Sequence, residues 1–172
     1  MKNKLKIVLL VDDINIQNWM YLALEKVLTN ASSEIVLVVR NNSVGVHKSR
    51  IQRFVNNLHK LIYFIYAHLE SFTHSLVRGG GGARKMMPLL DLVPNVPIVN
   101  VDPIMSKFTD KLDSETIKVI ESYDPDVIVR FGFRILKDDI LDISRFGVFS
   151  YHHGDPFNFR GGPACYWESA FK

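Results

Sequence analysis

An open α/β sheet, mainly parallel and covered by helices on both faces, is the fold this sequence predicts, and three observations carry the prediction. Strand-type and helix-type patterns alternate along the chain, as parallel crossovers require. Two of the strand-type runs, Leu5 to Val11 and Ile35 to Val39, are apolar without a break, the pattern of strands buried on both faces. The passage Asp124-Pro125-Asp126-Val127-Ile128-Val129 has the form of a loop that leads from a helix into a central strand. With 172 residues, 47% hydrophobic and 11% aromatic, the chain has the material for one domain over residues 1–172 with a substantial core.

Taken in order, the strand over Leu5 to Val11 ends at Asp12, Asp13 and Asn15, and a helix is predicted from about Gln17 to Leu28. Its stripe is read as Trp19, Leu22, Ala23, Lys26 and Val27, closed by Thr29 and Asn30. Strand, turn and helix open a Rossmann-like sheet. No G-x-G-x-x-G follows the strand, so a dinucleotide is disfavoured. Glu34 to Arg40 is the second strand, and Asn41-Asn42-Ser43 turns the chain. Residues Val46 to Val77 keep an apolar stripe for several turns and predict one long helix or two in succession. Within it, Leu61 to Ala67 is apolar nearly all round, but His59, Lys60, His68 and Glu70 bracket it, leaving far fewer than the roughly 20 residues a membrane span needs. His47, His59, His68 and His74 have no convergent partner in this pattern, so no metal site is predicted there.

The run Gly79 to Gly82 follows a helix and lacks the Gly-Lys-Ser/Thr ending of a phosphate loop, so it is read as a mobile connection. Met86 to Asn95 is a proline-punctuated passage, Val96 to Val101 a short strand, and Pro103 prevents its simple continuation. Ser106 to Asp110 is a candidate ligand loop. Ser114 is read as the cap of a helix to about Ser122 that packs Ile117, Val119 and Ile120 inward. Beyond the central strand, Leu136 to Leu141 predicts a short helix and Phe146 to Tyr151 the next strand.

Composition narrows the function classes. A formal charge of +3 and a pI near 9.0, with Lys and Arg scattered, give nucleic-acid binding little support. The single cysteine, Cys165, cannot form an intrachain disulfide, and the apolar run in MKNKLKIVLLVDD is too short and too soon acidic for a signal peptide. A cytoplasmic protein with no membrane partner is expected.

Ionisable residues concentrate after the last predicted strand. In GVFSYHHGDPFNFRGGPACYW, Gly147 to Trp167, the residues His152, His153, Asp155 and Asn158 precede the turn Arg160-Gly161-Gly162-Pro163. The carboxyl edge of an α/β sheet is where ligands bind, because helices on both faces leave a crevice there. His152 and His153 are neighbours, and adjacent strand residues point to opposite faces, so no metal is predicted. No G-x-S-x-G elbow surrounds Ser150, which disfavours a serine hydrolase. Arg160 is read equally as a substrate contact or a structural turn residue.

Two segments carry a resemblance. Ser150-x-His152, followed after seven residues by Arg160-Gly161, resembles the folate-dependent formyltransferases, whose motif reads N-x-H before a P-x-x-R-G turn. Phe131-Gly132-Phe133-Arg134-Ile135-Leu136 is similar to the G-F-x-R-I-L run of glycinamide ribonucleotide transformylase, a run that lines the folate pocket. Methionyl-tRNA formyltransferase belongs to the same family, and the His-His-Gly-Asp form looks like members that act on other amines.

The resemblance implies a formyl group moved from 10-formyltetrahydrofolate, as donor, to a primary amine of a small molecule, with an amino sugar or nucleotide-linked sugar as the acceptor class. It leaves tRNA as the one nucleic acid still open. It implies His152 as the residue that stabilises the oxyanion or moves the proton, Ser150 in place of the family's asparagine, and Asp155 in a supporting role. Folate would lie against Phe131, Gly132, Phe133, Arg134, Ile135 and Leu136, with the pterin held by backbone groups near Arg134 and Leu136. His153 and Arg160 would meet the acceptor. The family's further aspartate would fall beyond Lys172, so the sequence reads as a catalytic domain lacking its C-terminal part. A hydrolase of the same donor and a catalytically silent folate-binding domain stay open as alternatives. Val11-Asp12-Asp13, where the transformylase holds a substrate phosphate, argues against that nucleotide as acceptor.

Overall fold

The computed structural model describes residues 4–45, 65, 69, 82, 85–151, 157 and 158. Five strands form one sheet: β1 (Leu5–Val11), β3 (Ser33–Asn41), β5 (Ile98–Val101), β8 (Val127–Arg130) and β10 (Val148–Ser150). Their spatial order is β5-β3-β1-β8-β10, and every neighbouring pair is parallel. The chain builds outward from β1 on one side, returns, and builds outward on the other, which is the Rossmann-like winding the sequence predicts.

The unbroken apolar runs have the physical cause inferred for them. On β1, Val8 and Leu10 face one core cluster while Ile7, Leu9 and Val11 face the other, so both faces of the strand are buried. Helix α1 (Asn18–Thr29) covers the second face and α2 (Ser114–Ser122) the first. Fully burying an aliphatic side chain is worth about 1.5–3 kcal/mol, and Val8, Leu9, Leu10, Leu37, Val38 and Val39 are wholly buried. One detail breaks the simple alternation. Pairing runs Ile7 with Ile35 and then Val8 with Leu37, so Val36 is an inserted residue, and the side chains after it change faces.

Three sequence expectations are corrected. The face of α1 toward the sheet carries Met20, Tyr21, Leu24 and Leu28, not Trp19, Leu22, Ala23, Lys26 and Val27; Leu22 and Val27 are exposed. The i, i+4 set of 20, 24 and 28 is the longer apolar ridge, and it is the one that sits on β1 and β3. The cap of α2 is Asp113, whose Oδ1 accepts from the Thr116 amide at 2.7 Å, so Ser114 is the first helical residue. Leu136 to Leu141 is not one short helix: Ile135–Leu136 is strand β9 and Asp138–Leu141 a single 3-10 turn.

Two small sheets were hidden in passages read as loops. β2 (Asn15–Gln17) pairs antiparallel with β4 (Met86–Pro88), and the Asn18 amide at the start of α1 donates to the Lys85 carbonyl. A hairpin of β6 (Ile104–Met105) and β7 (Thr109–Lys111) joins β9 in a separate three-stranded sheet, so Ser106 to Asp110 is the hairpin's turn and the start of β7 and not an open loop. Of the segment 46–77, Ile65 and Leu69 are described, both helical and exposed; the four histidines and Cys165 lie outside the described residues. No helix among the described residues is long and apolar enough to cross a membrane.

Candidate active site

The winding reverses between β1 and β8, and ligands of such sheets bind outside the carboxyl ends at that point. Here the chain itself occupies the position. The Leu10 carbonyl accepts from the amides of Phe131 (2.9 Å) and Gly132 (3.0 Å), and Asp12 Oδ1 accepts from the Phe133 amide at 2.7 Å and from Asn41 Nδ2 at 3.3 Å. Asp12 therefore ties three strand ends together. Gly132 is required for this closeness, since a Cβ there would overlap the backbone of Val11 and Asp12. Phe133 takes a φ of 65°, so the loop turns sharply and sends its side chain into the core.

The opening lies beside that plug. A cavity of about 160 Å³ is lined by Trp19 and Met20 of α1, by Arg130, Phe131, Gly132 and Phe133 at the end of β8, and by Ser150 and Tyr151 at the end of β10. Trp19 meets Phe131 edge-on, with ring centroids 5.5 Å apart at 81°, and Tyr151 at 5.1 Å and 44°. Gln17 Oε1 accepts from Trp19 Nε1 at 2.7 Å and sets the indole in place. The result is an aromatic wall facing a polar one. Arg130 and Ser150 form the polar wall: Arg130 Nη2 and Nε donate to Ser150 Oγ at 2.6 and 3.1 Å.

The six residues of the 131–136 run divide. Phe131, Gly132 and Phe133 line the cavity; Arg134, Ile135 and Leu136 turn away from it. Leu136 is buried in the core and Ile135 is exposed on β9. The Arg134 amide donates to Asp110 Oδ2 (2.8 Å) and its carbonyl accepts from Arg130 Nη1 (2.5 Å), so the amide is already committed within the fold and the carbonyl keeps one lone pair. The Arg134 side chain is spent as well: it donates to both Asp110 Oδ1 and the carbonyls of Ser106, Lys107 and Thr109. All five guanidinium hydrogens are engaged in fastening the β6–β7 hairpin to the loop.

Ser150 lies at the cavity, while His152, His153, Asp155 and Arg160 lie outside the described residues. Sequence reasoning missed Arg130 and Trp19 as site residues. Arg130 had a signal: it is the one charged residue at the carboxyl end of the apolar run Val127-Ile128-Val129, where a side chain reaches the crevice. Trp19 was counted into a core stripe that does not face the core. Among the described residues, no three His, Cys, Asp or Glu side chains converge as a metal site would need. No protein-family model matches this sequence, and no curated protein matches it.

The described walls suit a small, flat, partly polar group. Aromatic faces suit a flat ring, a hydroxyl suits a carbonyl oxygen, and the volume is below the roughly 300 Å³ at which drug-sized pockets begin, enough for a reacting group and not for a whole pteroyl chain.

Proposed function

We propose that this protein transfers a formyl group from 10-formyltetrahydrofolate to the primary amine of a small molecule, of which an amino sugar or nucleotide-linked sugar is the favoured class. One observation carries the reading. The cavity joins parts of the two segments on which the resemblance rests, Phe131 to Phe133 and Ser150-Tyr151, although about twenty residues separate them in sequence. Nothing in local sequence requires the end of β8 to meet the end of β10 under a tryptophan from α1.

The chemistry asks for a hydrogen-bond donor to the oxygen that gains charge when the amine adds, and for a group that moves a proton between nitrogens. Ser150 supplies a hydroxyl at the cavity wall. By resemblance, His152, next in sequence after Tyr151, moves the proton, Asp155 supports it, and His153 and Arg160 meet the acceptor. Trp19 and Phe131 offer aromatic edges and faces to the ring system of the donor.

The test is a calorimetric titration of the whole chain with a stable 10-formyltetrahydrofolate analogue, beside a Phe131→Ala variant. Saturable binding weakened about tenfold in the variant is expected, since lost aromatic stacking and area are worth about 1.4 kcal/mol. A folded chain that shows no heat of binding sinks the proposal. Donor turnover without any amine would instead identify delivery of the formyl group to water.

A further inference from the structure

Arg130 ends β8, and what its guanidinium touches is unusual. Nε and Nη2 donate to Ser150 Oγ at 3.1 and 2.6 Å, and Nη1 donates to the carbonyls of Arg134 (2.5 Å) and Phe133 (3.3 Å). Every one of these acceptors is uncharged. Among the described residues no carboxylate pairs with Arg130, whereas Arg134 has the buried Asp110. A guanidinium does not give up its proton in proteins, so a full positive charge stands at the cavity wall without a counter-charge among the described residues.

The consequence falls on Ser150. Two N–H groups converge on Oγ and use both of its lone pairs, leaving the hydroxyl able only to donate its own hydrogen. A hydroxyl that accepts from a cation is polarised, and the hydrogen bond it donates is strengthened. The sequence substitution of serine for an amide-bearing residue thus acquires a compensation that no short motif displays.

We infer that Arg130 polarises Ser150 into an oxyanion donor, the pair supplying the hydrogen bond that an asparagine amide supplies in the family this chain resembles. This deepens the formyl-transfer reading and rests on it for its catalytic meaning. As an amine nitrogen bonds to the formyl carbon, the carbonyl electron pair moves onto oxygen, where Ser150 Oγ–H meets it. As the bond from that carbon to N10 breaks, the pair returns to reform the carbonyl, and the proton lost by the amine ends on N10. Nothing is oxidised or reduced. Ser150 touches the reacting oxygen; Arg130 is a positioning residue that acts through it.

Two titrations of the whole chain, each on wild type, Arg130→Met, Arg130→Lys and Ser150→Ala, separate this inference from the reading beneath it. The first follows amide chemical shifts with sodium formate, the smallest oxyanion shaped like the group transferred. Saturable shifts at Ser150 and Tyr151 are expected in wild type, partly kept in Arg130→Lys, and absent in Arg130→Met and Ser150→Ala. The second follows heat on adding the formyl-folate analogue, with single-turnover formyl transfer to hydroxylamine. Analogue affinity within about twofold of wild type and a rate lower by on the order of a hundredfold are expected for both Ser150→Ala and Arg130→Met. Unchanged formate shifts in Arg130→Met, or no shifts in wild type, overturn the oxyanion pair while leaving folate binding to its own test. Formate shifts that follow this pattern in a chain that ignores the analogue overturn the catalytic role together with formyl transfer. Ser150→Ala leaves the two carbonyl bonds of Arg130 intact, so a folding defect in Arg130→Met does not remove the test.

Discussion

Two arginines four residues apart divide the loop after β8 into a pinned half and a half that faces the cavity. Arg134 is locked between Asp110, which is 1% exposed, and three carbonyls of the β6–β7 hairpin. Arg130 faces the cavity and, among the described residues, donates only to neutral oxygens. The same side chain is pinned where a buried carboxylate meets it and stays at the cavity wall where, among the described residues, none does. The lesson is one of electrostatics: a cation neutralised in place organises backbone, while one left uncompensated at an open wall polarises whatever shares its hydrogen bonds.

Arg134→Ala should have the largest effect. It would leave the buried Asp110 carboxylate with the residue-134 amide but no cation; removing one partner of a buried pair costs about 3–5 kcal/mol, and with the guanidinium half-exposed the lower end, about 3 kcal/mol, is expected. The urea midpoint should fall accordingly; a shift under about 1 kcal/mol would mean that Arg134 is not the pin described here. Gly132→Ala comes next. Its Cβ meets the Val11 and Asp12 backbone, which cannot give way as a flexible side chain would, and a loss of about 1–3 kcal/mol is expected by thermal unfolding. Ser150→Ala sharpens the contrast from the other side. Ser150 is exposed at the cavity, so stability should move by no more than about 0.5 kcal/mol while the formate response disappears.

The smallest effect lies on α2, remote from both halves. The backbone hydrogen bond from Thr116 holds the Asp113 carboxyl below its ordinary value of 3.8. A group whose pKa is lowered on folding stabilises at pH above its unfolded value, and the benefit is lost as pH falls through the folded one. Asp113→Asn keeps a competent cap but carries no titrating charge. In acid urea titrations the variant should therefore lose less stability than wild type below about pH 4, with near-neutral stability little changed.

Much of the frame was legible. β1 and α2 match the sequence reading to within a residue of each end, and β3, β5, β8 and β10 lie within theirs or nearly so; for β1 and β3 the reason is that an unbroken apolar run can be satisfied only by burial on both faces. The register change at Val36 was not legible, since Ile35 to Val39 is apolar throughout and offers no polar residue to mark which side chain is the extra one. β2 and β4 escaped because three-residue strands carry too little pattern, and their pairing spans about seventy residues of chain. Asp113 escaped because Ser114 is also a favoured cap, and only the 2.7 Å bond to Thr116 distinguishes them.

The site was legible by halves. Ser150 and Phe131 to Phe133 stood out by their motifs and do line one cavity. Arg134 stood out by the same motif and turned inward, because the carboxylate it needs comes from a hairpin 24 residues earlier. By itself the amino-acid sequence determined the layers of this protein and its parallel winding, since these follow from which residues must leave water. Only the tertiary structure decided which arginine was spent and which remained, because a guanidinium takes its role from the charge that reaches it across the fold.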